Sequence, residues 1–579
     1  MQKMEEFNMN EIKKYIAEEL HKVLANKYNF EMTLEEIVDT LEKPKDDSMG
    51  DIALPCFKFA KILKNSPMNI AKEISESLEI DNRISKKEVV GGYINLYTNS
   101  EMLCKNILEN IIHKGDKYGF VNIGNGQNVT IDYSSPNIAK PFHLGHFRTT
   151  IIGRALYNLH NELGYNSIGI NHLGDWGRQF GLLIVGYERF KDEYDIEKDP
   201  LHTLTDIYVR INQLAKEDES IFDLARDNFK KLEEVDKDIL ALWQYFKDVS
   251  MKEYERIYKI LGCKFDSYNG EAFYNDKMDE VVKILDEKGV LVESEGAKVV
   301  KLSENEPPCI ILKSNGSTIY ATRDLAAVLY RSRTYNYAKS IYVTSYEQIH
   351  HFKQIFEVSK YLVDEKYTKE LVHVPYGMVR LKTGKMSTRE GTVIYLQDLI
   401  EDAITKSKKI IEDKGAEVDD IDLLAKQIGV GALVFNDLKH NKIKDIVFDL
   451  DEVLRFDGET GPYVQYTYVR ICSLLNKSGI DINNIKKINY TYNEDEIKLI
   501  KLLDRFESTI YEAAESYEPS ILARYIIDVA SSFSVFYNNN SILVEDSSVK
   551  EARLLLVNSS GIVIKKGLNL LGIETPIKM

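Results

Sequence analysis

Two histidines three residues apart are the strongest candidates for chemistry, in the stretch Ser134-Ser135-Pro136-Asn137-Ile138-Ala139-Lys140-Pro141-Phe142-His143-Leu144-Gly145-His146. The stretch falls between a short strand pattern and the start of a helix. Gly145 lets a ligand approach the main chain closely, and a helix N-terminus favours a phosphate. Imidazoles at i and i+3 on one turn can each donate to phosphate oxygens. The plainer alternative is a solvated helix cap with two surface histidines. A metal site fits less well, because no third ligand lies nearby in sequence.

A second stretch, Lys382-Thr383-Gly384-Lys385-Met386-Ser387-Thr388-Arg389-Glu390-Gly391-Thr392, sets cations and hydroxyls between glycines. Alone it reads as a solvated turn. Beside the first stretch it suits adenylate formation, in which a carboxylate attacks an α-phosphate and pyrophosphate leaves. That reaction needs no covalent enzyme intermediate. It needs reactants held in line and growing phosphate charge neutralised.

The elements that must position these groups are legible around the first stretch. Val129-Thr130-Ile131-Asp132-Tyr133 predicts a strand. Leu144, Phe147, Ile151, Ile152, Ala155, Leu156, Leu159 and Leu163 share one helical face.

 Gly164 fits the position just past the helix end. Ser167-Ile168-Gly169-Ile170-Asn171 predicts a second strand. A crossover helix between parallel strands implies a Rossmann-like sheet with its site at the strand C-termini. Residues 182–262 read as a helical insertion. Strand patterns return at 298–302, 309–312 and 340–344, and beyond about 400 the chain is largely helical. Before the sheet, Ile12, Ile16, Leu20 and Leu24 recur at helical spacing, and 89–97 reads as a strand pair broken by glycines. These patterns predict an α/β fold in four parts: an N-terminal α/β module at 1–121, a catalytic domain at 122–400, a helical connection at 401–455 and a helical domain at 456–579.

Composition narrows the class. The 579 residues are too many for one hydrophobic core, and 44% hydrophobic with 29% charged residues is ordinary for a folded protein. The net charge of -16 argues mildly against nucleic acid, but 75 basic residues leave room for a local positive surface. Five scattered cysteines without a CxxC give neither a zinc ribbon nor a redox motif. The acidic, amphipathic N-terminus does not read as a signal or transit peptide, and no stretch is apolar for long enough to span a bilayer. A cytoplasmic enzyme with no membrane partner is expected.

The paired stretches resemble the signature of class I aminoacyl-tRNA synthetases. The arginyl branch is indicated by SSPNIAKPFHLGH followed by RTTIIG, and by Asn171-His172-Leu173-Gly174-Asp175-Trp176-Gly177-Arg178-Gln179-Phe180-Gly181. Tyr320-Ala321-Thr322-Arg323-Asp324, Gln348-Ile349-His350-His351 and Thr460-Gly461-Pro462-Tyr463-Val464-Gln465-Tyr466 also match it. Near the N-terminus, Gly50-Asp51-Ile52-Ala53 and Gly92-Tyr93-Ile94-Asn95 resemble its additional tRNA-elbow domain. The resemblance covers essentially the whole chain. Two departures stand out: Thr388 where a second lysine is common, with Lys140 in the place that compensates, and Leu144 where isoleucine is commonest.

The resemblance implies a class I catalytic domain between an N-terminal additional domain and an all-helical anticodon-binding domain. It implies activation of arginine with ATP and Mg²⁺, the metal arriving with ATP rather than in a protein cage, then transfer to tRNA(Arg) by a monomer. It also implies that tRNA must be bound before arginine is activated. Lys140, His143, His146, Lys385 and Ser387 would be catalytic. ATP would meet His143, Gly145, His146, Gly174, Asp175, Met378, Lys385, Met386 and Ser387. Arginine would meet Ser134, Asn137, His143, Glu271, Tyr320, Asp324 and Gln348, because a guanidinium fork is best met by carboxylates. Tyr463, Tyr537 and Met579 would touch the anticodon. For Asp324 the plainer alternative is an ion pair with Arg323 or Arg331. Three other functions compete: another class I synthetase such as the cysteinyl type, whose zinc-ligand cysteines are missing here; a small nucleotidyltransferase; and a non-catalytic RNA-binding relative.

Overall fold

The crossover expected between Val129 and Asn171 is present in a computed structural model of the chain, which describes residues 8–302, 306–381, 395–415, 418–485 and 490–579. Strands Asn128–Asp132 and Asn166–Ile170 pair in parallel, with Asp132 opposite Ile170. Helix Leu144–Glu162 joins them. Its inner face buries Leu144, Phe147, Ile151, Ile152, Ala155, Leu156 and Leu159, each no more than 3% exposed. Gly164 follows the helix at φ 79°, a conformation that a β-carbon would strain.

Strand Lys339–Ser345 lies on the other side of Asn128–Asp132, with Leu371–Tyr376 beyond it, both parallel. Across the four-stranded sheet the order is Leu371–Tyr376, Lys339–Ser345, Asn128–Asp132, Asn166–Ile170. The chain therefore steps one way from the first strand to the second and the other way to the third. That reversal opens a crevice beyond the C-terminal ends of Asn128–Asp132 and Lys339–Ser345, where such sheets hold ligands.

Two strand expectations need refinement. The patterns at 298–302 and 309–312 form Ala297–Val300 and Cys309–Leu312, but these pair antiparallel with Leu291–Ser294 in a separate small sheet. Their alternation explains this: Cys309 and Ile311 are buried while Ile310 is 43% exposed, the mark of a strand covered on one face. Ile341, Tyr342 and Val343, in the parallel sheet, are buried in succession. Leu371–Tyr376 was not expected. His373 and Pro375 dilute its apolar run, and proline is tolerated because this is an edge strand.

The helical insertion comprises Arg178–Phe190, Pro200–Glu217, Ser220–Glu233 and Lys237–Leu261. They enclose a core that includes Phe180, Ile184, Leu204, Ile207, Ile211 and Phe246. The whole chain forms two compact units. One holds the parallel sheet and comprises residues 119–469, 508–527 and 567–579. The other comprises 1–118, 470–507 and 528–566. In it, helix Met9–Tyr28 buries Ile12, Ile16, Leu20 and Leu24. Ile84–Val90 and Tyr93–Thr98 form the expected glycine-broken pair, joined by Ile52–Pro55 in a three-stranded antiparallel sheet. The Asp51 carboxylate accepts from the Thr98 amide and hydroxyl and pairs with Lys501. Among the described residues no helix is long and apolar enough to cross a membrane.

Candidate active site

The first signature turn is capped by its own histidines. His143 is the N-cap residue of helix Leu144–Glu162. The Gly145 amide donates to His143 Nδ1 at 3.0 Å, and the His143 amide lies 3.4 Å from His146 Nδ1. The rings stack with centroids 3.8 Å apart. A main-chain N–H can only donate, so each Nδ1 is an acceptor and each ring proton sits on Nε2. Burial pulls the His143 pKa down to about 4, with the charge of Lys140 adding to the effect. His146 is held well below its ordinary value by burial, with His143 and Lys140 contributing. At neutral pH the pair therefore offers two uncharged Nε2–H donors. Gly145 is required here, since a β-carbon would lie 2.9 Å from His143 Cε1.

The loop before the turn is strained and held from outside. Ser134, Ser135 and Ala139 have φ of 70°, 45° and 59°, which non-glycine residues seldom adopt unless their surroundings enforce it. The enforcement comes from one face of helix Lys237–Leu261. Ser250, Tyr254 and Tyr258 recur every four residues along it. Ser250 Oγ accepts from the Ala139 amide at 2.8 Å. The Tyr254 hydroxyl shares its proton between Asn137 O at 2.7 Å and Lys140 O at 2.6 Å. The Tyr258 hydroxyl meets Ser134 Oγ at 2.8 Å and accepts from Asn171 Nδ2 at 2.9 Å. Burial raises both phenols, which stay protonated.

Beside the turn, at the strand C-termini, lies a cavity of about 500 Å³. Three carboxylates line it, each with a cationic or imidazole neighbour. Asp132 pairs with the buried Arg331 at 2.7 Å. Arg323 Nη1 lies 3.7 Å from Glu271 Oε2. His351 Nε2 meets Asp324 Oδ2 at 2.6 Å. Asp324 is thus paired with neither Arg323 nor Arg331. Burial pushes the Glu271 pKa up to about 7; Asp324 and Asp175 add to the rise and Arg323 opposes it. Arg331 Nη2 also donates to His172 Nδ1 at 3.3 Å, and burial lowers the His172 pKa.

Ser134, Asn137, His146, Gly174, Glu271, Tyr320, Asp324 and Gln348 all line this cavity. The Ser134 hydroxyl is already engaged by Tyr258 and Thr150. Gly174 packs against Asn137, whose Oδ1 would lie 2.0 Å from an added β-carbon. Asp175 is fully buried instead: its carboxylate accepts from Lys247 Nζ and the Ala272 amide, both at 2.8 Å. Lys140 is exposed, 5.9 Å from the Tyr208 ring. Both main-chain polar groups of Met378 are committed, the amide to Asp445 Oδ1 and the carbonyl to the Ile446 amide. Lys385, Met386 and Ser387 lie outside the described residues.

The three anticodon candidates occupy different surroundings. Tyr463 is half-buried. Tyr537 carries the Arg470 guanidinium 4.8 Å from its ring centre. Met579 packs, partly buried, against Ile411, Leu424, Ala425 and Ile428. The sequence reading missed Asp132, His172, Arg323 and Arg331 as cavity residues. Asp132 had a signal, closing a strand that ends at the site. Arg323 and Arg331 entered the sequence reading only as possible ion-pair partners of Asp324.

The described residues on either side of 382–394 are fastened to the histidine turn and its helix. Before it, the Tyr376 hydroxyl donates to Gly145 O at 3.4 Å and Arg148 Nη1 donates to Gly377 O at 2.7 Å. After it, Tyr395 bridges to His143, and the Leu396 amide donates to Phe142 O at 2.8 Å.

A histidine-capped turn at the switch point of a parallel sheet, with a helical insertion behind it, is the arrangement of a class I synthetase core. Residues 107–450 match the family described as tRNA synthetases class I (R), catalytic domain. Residues 464–579 match the DALR anticodon binding domain, and 10–98 the arginyl tRNA synthetase N terminal domain. The arginine–tRNA ligase of Halothermothrix orenii is 46% identical over 563 residues, covering 97% of this chain and 99% of that one. That of Clostridium beijerinckii is 47% identical, covering 96% and 98%. The solved arginyl-tRNA synthetase of Plasmodium falciparum superposes with a TM-score of 0.80 at 27% identity, covering 98% and 99%. The chain belongs to the arginyl-tRNA synthetase family.

Proposed function

We propose that the chain activates arginine with ATP to arginyl-adenylate and transfers it to the 3′ end of tRNA(Arg), releasing pyrophosphate and then AMP. The cavity supports this reading: the neutral imidazole of His146, with His143 stacked behind it, stands at one wall, and Glu271 and Asp324 at another. The carboxylates receive the guanidinium, with Tyr320 and Gln348 shaping the pocket and Asn137 beside the amino-acid head group. The α-carboxylate of arginine attacks the α-phosphorus, and the bond to pyrophosphate breaks. His143, His146, Lys140, Lys385 and Ser387 hold and neutralise the phosphates, the preorganised donation that lowers such barriers. Gly145 and Gly174 allow close approach of ATP, Met378 and Met386 flank it, and Asp175 acts by fixing the loop at Gly174.

Mg²⁺ enters on the phosphates of ATP. Asp132, Glu271 and Asp324 face Arg331, Arg323 and His351. The tRNA 3′ hydroxyl then attacks the adenylate carbonyl and AMP leaves. The N-terminal module, residues 1–121, meets the tRNA elbow; the domain from 456, with Tyr463, Tyr537 and Met579, meets the anticodon. The enzyme works as a cytoplasmic monomer. Arginine-dependent exchange of pyrophosphate into ATP, measured with and without tRNA, tests the reading. Exchange is expected with tRNA bound; strong exchange without it contradicts the tRNA-dependent order.

A further inference from the structure

Arg148 is the most deeply buried cation near the site, and it is not among the residues that line the cavity. It lies two residues after His146 on the same helix, with 0% of its side chain exposed. Its Nη1 donates to Gly377 O at 2.7 Å and Lys444 O at 2.8 Å, and its Nε lies 3.3 Å from Asp437 Oδ1. Burying a guanidinium is costly even when it is paired, and apolar side chains often replace such pairs without loss of stability. What a guanidinium supplies that an apolar residue cannot is a rigid fork that fixes several acceptors at once.

The acceptors it fixes bear on the reaction. Gly377 follows Tyr376, which lines the cavity and reaches Gly145 O. Gly377 is pressed against the 443–444 main chain, where a β-carbon would lie 2.6 Å from Ile443 O and Lys444 O. Strand Val379–Leu381 follows and pairs in parallel with Ile446–Phe448, Val379 opposite Ile446. Arg148 thus ties the histidine turn to both strands of that pair at their entry points.

We propose that Arg148 is a positioning residue for ATP: its guanidinium holds the exit of strand Leu371–Tyr376 in register with the histidine turn. This rests on the reading of the cavity as the adenylation site. Lysine keeps the charge but has one nitrogen on a flexible stem, so it cannot bind Gly377 O, Lys444 O and Asp437 together. Asparagine at 437 still offers an oxygen to Nε and leaves the Nη1 contacts intact.

The test is pyrophosphate exchange by the full chain with tRNA present, varying ATP and arginine separately. Arg148→Lys is expected to lower kcat/KM for ATP by roughly a hundredfold, the scale of an ångström-sized misplacement. KM for arginine should stay within about twofold. Asp437→Asn removes the counter-charge but keeps the Nη1 contacts, so it should lower Tm while leaving the ratio of kcat/KM for ATP to kcat/KM for arginine at the parent's value. Equal losses for both substrates, or parent-like ATP kinetics in Arg148→Lys, overturn the proposal. If Arg148→Lys does not fold by circular dichroism, the neutral pair Arg148→Gln with Asp437→Asn is measured against the same two outcomes. Lys385→Ala is run alongside. Full exchange by that variant rejects the site reading itself, whereas its loss beside a parent-like Arg148→Lys rejects only the positioning role.

Discussion

Replacing Glu271 by Gln should stabilise the empty protein and abolish its response to arginine. Burial first, then the charges of Asp324 and Asp175, move this carboxyl from its ordinary 4.5 to about 7. At about 1.4 kcal/mol per pH unit, ionising it in the empty cavity costs about 3 kcal/mol relative to water. The sign is opposite to that of a salt-bridged acid. Below pH 4.5 the group is protonated both folded and unfolded, and no penalty exists. Between 4.5 and 7 the folded state holds the extra proton, so stability falls as pH rises, and above 7 the full penalty remains. Gln carries no charge. At pH 8 the variant should gain about 2 kcal/mol, part of the 3 being lost because Arg323 keeps only a neutral neighbour. In a unit of this size that is a rise in Tm of roughly 2–4 °C. At pH 4.5 the two proteins should melt together. Arginine should raise the Tm of the parent by mass action and leave the variant unmoved. In the parent, KM for arginine should climb about tenfold per pH unit below 7, since the guanidinium needs the ionised form. A variant that melts below the parent at pH 8, or a parent KM that is flat from pH 6 to 8, refutes the reasoning.

Other perturbations separate the roles further. Asp324→Asn leaves the guanidinium without a counter-charge and frees His351; arginine binding should weaken by roughly 3–5 kcal/mol while KM for ATP barely moves, and equal loss for both substrates would count against it. Lys140→Ala should lower kcat about a hundredfold with KM for arginine unchanged, as expected for a donor felt mainly in the transition state; a normal kcat shows that Lys140 does not stand in for a lysine at Thr388. Deleting Lys578 and Met579 should raise KM for tRNA without altering KM for ATP. Because Met579 packs on Leu424 and Ile428, a lower Tm should accompany it; unchanged charging kinetics with a lower Tm would make the terminus a packing element alone.

What could be read from the sequence was local. The crossover from Asn128 to Ile170 was legible because the period switches from two to near four and back, with Gly164 marking the helix end. The histidine turn was legible because its chemistry is contained in four consecutive residues. Pairings across the chain were not. Asp132 with Arg331 and Asp324 with His351 join residues whose neighbours in sequence say nothing of each other. The stripe Ser250, Tyr254, Tyr258 was visible as spacing, but such a stripe ordinarily means core; its work in holding Ala139, Asn137 and Ser134 depends on the docking of the whole insertion. The grouping of 470–507 and 528–566 with 1–118 was likewise invisible, because local patterns mark elements and not their partners.

The most direct test of the central claim is charging of total tRNA by the purified chain, with each amino acid supplied separately alongside ATP and Mg²⁺. A cavity that presents Glu271 and Asp324 to a guanidinium should give charging with arginine and background with every other amino acid, lysine included. The product should vanish in Glu271→Gln. Charging with a different amino acid, or undiminished arginine charging by Glu271→Gln, would contradict the account.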